Sequence, residues 1–118
     1  MSSELYRRMQ PFLGDEQELC RRMAGQMDLW EECVRLFPGV EIVEEMDATL
    51  QREDFSGFYG AVHRLKGNLA NFGFDGAAER AAMTLRAVKE ANDTQVRLYY
   101  KELREEYLRI IERIGEVE

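Results

Sequence analysis

The run Asp54-Phe55-Ser56-Gly57-Phe58-Tyr59-Gly60-Ala61-Val62-His63-Arg64-Leu65-Lys66-Gly67-Asn68-Leu69-Ala70-Asn71-Phe72-Gly73 is the most informative part of the chain. Its apolar residues Phe55, Phe58, Val62, Leu65, Leu69 and Phe72 recur by alternating threes and fours, the spacing of one buried stripe on a helix. Asp54 is placed to cap the first turn, and Gly73 to end the last in left-handed backbone. The reading is a long helix over 55–72.

The same period extends in both directions. Downstream, Asp75 starts a helix to about residue 92, lined by Ala78, Ala81, Leu85 and Val88. Asn92 or Asp93 starts the last, over 94–114, carrying Val96, Tyr100, Leu103, Tyr107, Ile110 and Ile114 before Gly115. Upstream, Val43, Met46 and Leu50 mark a helix over 40–52, and Met27, Trp30, Val34 and Phe37 mark one closed by Pro38-Gly39. Asp15 with Glu18 three later reads as a capping box for a short helix through Leu19 and Met23 to Gly25. Leu5, Met9 and Phe12 form one more, started by Ser2 or Ser3 and stopped near Gly14. No segment alternates apolar and polar as a strand does. The connections are so short that neighbouring helices should run antiparallel. The expected fold is all-α: an up-and-down antiparallel four-helix bundle with additional short N-terminal helices packed over it. It forms one domain, 1–118, with an N-terminal extension over 1–24 and a core over 25–115.

Composition narrows the function. A chain of 118 residues is one domain's length and buries roughly two-thirds of its unfolded surface. The hydrophobic fraction of 45% and the charged fraction of 33% are those of a globular protein rather than a disordered one. Acids outnumber bases 23 to 16, for a net charge of −7, which argues against nucleic acid and against anionic membranes as partners. Cys20 and Cys33 form no CxxC pair and sit among apolar neighbours, so reduced, buried thiols are expected. No stretch approaches the ~20 apolar residues of a membrane span, and the first residues lack a signal-peptide pattern. A cytoplasmic protein without membrane insertion is expected.

The chain holds one histidine, His63, in the middle of the 55–72 helix. At ~100° per residue it lies about 130° from the centre of the apolar stripe, facing solvent or a partner. On its face lie Ser56, Tyr59, Gly60, Lys66, Gly67 and Ala70. Glycine inside a helix costs ~1 kcal/mol relative to alanine, yet two glycines flank this histidine. One use is clearance, since bare flanks let another macromolecule approach the imidazole closely. Lys66, three residues on, can place an ammonium beside whatever His63 carries. A neutral, nucleophilic imidazole with an adjacent cation suits a phosphoryl group better than a proton or a metal. The same residues also suit a solvated face whose glycines serve close helix packing.

His63-Arg64-Leu65-Lys66-Gly67, followed by Asn68-Leu69-Ala70-Asn71-Phe72-Gly73, resembles the HxxKG-centred signature of histidine-containing phosphotransfer (HPt) domains. The resemblance runs on into Gly76-Ala77-Ala78-Glu79 and back to the helix ending in Phe37, covering the chain from about Gly25. Asn71-Phe72-Gly73-Phe74 is similar to the phosphotransfer domain that opens chemotaxis kinases. The resemblance implies phosphorylation of His63 on a ring nitrogen, Nε2, with Lys66 stabilising the phosphoryl oxygens and Gly67 leaving room for the partner. It implies partners too: a response-regulator receiver domain, which brings its own aspartate and Mg²⁺, and a hybrid sensor histidine kinase. The docking face would comprise Ser56, Tyr59, Gly60, Gly67 and Ala70 around His63 and Lys66, joined by residues of the 40–52 helix, with Tyr59 as an aromatic anchor.

Other classes fit less well. The paired Glu-x-x-His motifs of di-iron bundles are missing, Gly60 standing where the glutamate would be, so no metal site is expected. There is no glycine-rich phosphate loop and no kinase motif set, so no ATP site is expected and the chain reads as a phosphocarrier rather than an enzyme. The competing reading is a helical interaction module that carries no phosphate.

Overall fold

In the computed structural model, which describes residues 4–37 and 39–116, the phased stripe has formed α5, Phe55–Asn71. Phe58, Ala61, Val62, Leu65 and Leu69 are buried along it. The Asp54 carboxylate accepts the Gly57 N–H at 3.0 Å, which satisfies one of the donors left open at a helix start. Gly73, with φ +88°, turns the chain out of the helix. A side chain there would be strained and would also press on Leu19, 3.1 Å from the Cβ position.

A connection of three residues, Phe72 to Phe74, leads into α6, Asp75–Lys89, so α6 must return along α5. Its buried residues are small, Ala77, Ala78, Ala81 and Ala87 with Thr84 and Leu85, which lets one helix pack against α5 on one side and α7 on the other. Asp75 is the first residue of α6 and makes no cap of its own. The helix ends at Lys89, three residues short of the expectation, because Ala91 adopts a left-handed φ of +53°.

The last helix, α7, spans Asp93–Glu116, with the Asn92 side chain accepting the Gln95 N–H at 3.1 Å. Its 24 residues span about 36 Å and account for most of the molecule's 44 Å length. It runs through Gly115, where sequence placed its end; nothing lies within 4 Å of a Cβ there and the backbone stays helical. Before α5 comes α4, Val40–Gln51, packed on α5 through Ile42, Val43, Met46 and Leu50. A shorter contact joins α4 to α7, where Tyr100 and Arg104 both bond Asp47.

The N-terminal elements are α1 (Glu4–Met9) with a 3₁₀ turn over Gln10–Phe12, then α2 (Glu16–Arg22) and α3 (Met27–Arg35). The starting serines of α1, and Pro38 after α3, lie outside the described residues. Asp15 accepts the N–H groups of Gln17 and Glu18, but the Glu18 side chain pairs forward with Arg22 at 3.0 Å, so only half of a capping box is present. These elements close over the α5–α6 corner. Trp30 is fully buried and donates its indole N–H to the Phe72 carbonyl at 2.9 Å. Tyr6 meets its ring edge-on and Phe74 stacks on it, while Phe37 packs against Phe72 and Phe74. The Gly14 N–H reaches the Gly73 carbonyl at 2.9 Å. Cys20 and Cys33 are free thiols, half-buried rather than buried, because α2 and α3 bury narrow stripes and both cysteines sit at their edges.

The described residues are all-helical, in seven α-helices without a strand, around one apolar core. None of those helices is long and apolar enough to cross a membrane.

Candidate functional site

His63 is exposed, although its neighbours Val62 and Leu65 have no accessible surface. That follows from its angle on α5, since the buried stripe holds the helix's other side. Its ring lies over Tyr59, one turn earlier, with centroids 6.2 Å apart and planes within 15° of parallel. Among the described residues the imidazole makes no hydrogen bond.

The flanks are open. A Cβ on Gly67 would meet nothing within 4 Å, and one on Gly60 would meet the tip of Arg64 alone, at 3.9 Å. Ser56 is exposed near the start of the helix, and Ala70 is half-buried near its end. The Ala70 carbonyl accepts a hydrogen bond from the Arg22 guanidinium, so α2 borders this face, which the sequence did not suggest.

Beside His63 lies a concavity of about 380 Å³. Tyr59, His63 and Lys66 form its α5 wall; Ala82, Leu85, Arg86 and Lys89 form its α6 wall. The antiparallel return accounts for the match. Reflection through Phe74 carries Tyr59, His63 and Lys66 onto Lys89, Leu85 and Ala82, and Arg86 stands next to the middle position. Both stripes repeat by four and three, so they stay in register over two turns. Arg86 and Lys89 are the residues that sequence analysis missed. Their signal was the reflected register, legible once a tight corner at Gly73 is granted.

The concavity is cationic on a chain of net charge −7. Lys66, Arg86 and Lys89 line it without a carboxylate, and neither Lys66 nor Arg86 has an ion pair among the described residues. The Lys89 ammonium lies 5.6 Å from the centre of the Tyr59 ring. The opposite flank differs: Arg64 is paired with Glu45 of α4 at 2.6 Å. The expected α4 contribution is therefore an acid that neutralises Arg64, and the positive hollow belongs to α5 and α6. Such an arrangement can bind a dianion next to a nucleophilic nitrogen.

A second hollow, of about 290 Å³, lies among Phe55, Val88 and Val96 with Glu53 and Asp93 at its rim. It is apolar and has neither a nucleophile nor a cation in its lining. Among the described residues no group of three or more His, Cys, Asp or Glu side chains could hold a metal ion. No protein-family model, curated protein or solved structure matches this chain.

Proposed function

We propose that this chain is a histidine phosphotransfer protein that relays a phosphoryl group to and from the aspartate of response-regulator receiver domains. One observation carries the proposal: an exposed imidazole stands between two open glycine positions, beside a hollow lined by three cations with no carboxylate. The resemblance of His63 to Gly73 to HPt domains supports the same reading. Under it, α4 to α7 are the up-and-down antiparallel four-helix bundle, and α1 to α3 are a cover over one corner.

The chemistry asks little covalent machinery of this protein. Phosphoryl transfer depends on in-line placement and charge neutralisation. The imidazole enters neutral, with its proton on Nδ1. Its Nε2 lone pair forms the N–P bond as the P–O bond of the partner's aspartyl phosphate breaks, and the aspartate carboxylate leaves with that electron pair. The Nδ1 proton then passes to solvent. Lys66 and Arg86 take the charge of the phosphoryl oxygens, and Gly60 and Gly67 leave space for the partner's loops. The partner supplies the aspartate and the Mg²⁺. A hybrid sensor histidine kinase is the proposed upstream source of the phosphoryl group, so the chain acts in the cytoplasm as a phosphocarrier with no ATP site of its own.

The test is incubation with receiver domains carrying labelled aspartyl phosphate. Label should move to this chain in an acid-labile, alkali-stable form, and His63→Gln should abolish the transfer. A chain that stays unlabelled across a panel of receivers would instead be an interaction module.

A further inference from the structure

We infer that Tyr59 is the positioning residue for the His63 imidazole, an inference that rests on the phosphotransfer reading above. A reactive histidine must present one nitrogen along the line of transfer, and proteins commonly fix the ring by a hydrogen bond to the other nitrogen. Here no such bond exists among the described residues, and an exposed imidazole left to itself samples several rotamers. What holds the ring is a face. Tyr59 precedes His63 by four residues, so the two side chains stand one above the other on the helix, and their planes lie within 15° of parallel at 6.2 Å.

Tyr59 is itself restrained. It is half-buried, packs at the edge of the core, and has the Lys89 ammonium of α6 over its ring at 5.6 Å. A platform tied to two helices is stiffer than the histidine it carries. The contact also has a chemical advantage: stacking uses the ring face, so both in-plane nitrogens stay free, one for the phosphoryl group and one for its proton. An orienting hydrogen bond would occupy one of them. Tyr59 thus acts through His63 rather than on the phosphoryl group, which differs from the docking anchor expected from sequence.

The test needs no protein partner. Phosphoramidate phosphorylates histidine directly: the Nε2 lone pair forms the N–P bond, the P–N bond of the protonated donor breaks, ammonia leaves with the bonding pair, and the Nδ1 proton passes to solvent. Wild type, Tyr59→Phe and Tyr59→Leu are compared by the initial rate of that reaction and by the proton shifts of the His63 ring. Tyr59→Phe should keep both the ring-current shift and the rate. Tyr59→Leu should lose the shift and react about two- to tenfold more slowly, the scale of one ring stack. Tyr59→Met replaces the leucine variant if helicity falls. If the apolar, non-aromatic variant keeps the wild-type shift or the wild-type rate, the positioning role is overturned while the phosphotransfer reading stands. If wild type takes phosphate neither from phosphoramidate nor from any receiver, the phosphotransfer reading itself falls.

Discussion

The Tyr100 hydroxyl of α7 donates to the Asp47 carboxylate of α4, and Arg104, one turn further along α7, grips the same carboxylate through Nε and Nη2 at 3.0 to 3.1 Å. One acid therefore ties together two helices that otherwise share a short contact. Asp47→Ala leaves the hydroxyl of a buried tyrosine without its partner, which should cost about 1–3 kcal/mol. The Arg104 pair is more than a third exposed and adds little beyond that. Urea unfolding of the variant measures the sum, and an unchanged midpoint would refute the assignment.

Stability should fall in alkali. Burial, reinforced by the adjacent Asp47 carboxylate, raises the Tyr100 hydroxyl well above its ordinary value of 10.0, and burial with Glu41 raises Tyr107. A folded-state value above the unfolded one means that the native protein holds these protons more tightly. The contribution is complete below pH 10 and declines as pH rises past it, because the unfolded chain then binds fewer protons. Denaturation midpoints should hold level between about pH 8 and 9 and drop as the pH climbs past about 10, and Tyr100→Phe should lessen the drop.

Two glycines of α5 should respond in opposite ways. Gly67→Ala enters open space and should stabilise the helix by up to about 1 kcal/mol. Gly67→Leu should fold equally well yet slow transfer from a receiver more than about tenfold, by filling the partner's space. Gly57→Ala places a Cβ 2.4 Å from Asp54 Oδ2 and 3.1 Å from Thr49 Cγ2, so the cap must shift, and the variant should lose about 1 kcal/mol despite the better helix former. Thermal melts and a labelling assay separate the two effects.

Arg86→Gln removes one unpaired cation from the hollow beside His63. A charge-assisted contact to phosphoryl oxygen is worth about 1.5–3 kcal/mol, so transfer to the chain should slow about tenfold or more. The side chain is exposed, and the melting temperature should not move. An Arg86→Gln chain that accepts phosphate at the wild-type rate would exclude the Arg86 guanidinium from the site.

Much of α5 is legible in the sequence alone. The threes-and-fours spacing of Phe58, Val62, Leu65 and Leu69 fixes which side of the helix is buried, and that alone turns His63 outward. Asp54 and Gly73 mark the ends because a cap and a left-handed corner each demand few residue types. Other parts were not legible. That Trp30 would bond the Phe72 carbonyl, or that Asp47 would receive both Tyr100 and Arg104, depends on pairs 42 to 57 residues apart. No periodicity within a single helix encodes such pairs.

The candidate site divides along the same line. The angle of His63, Lys66 and Gly67 on their own helix is a local property, set by 3.6 residues per turn and by which residues shun water. The cations opposite, Arg86 and Lys89, enter the site because α6 returns in one rotation and register, and that choice is made by how its alanine face seats between α5 and α7. Packing is a relation between surfaces. A linear pattern specifies each surface, and their mating comes into being with the assembled core.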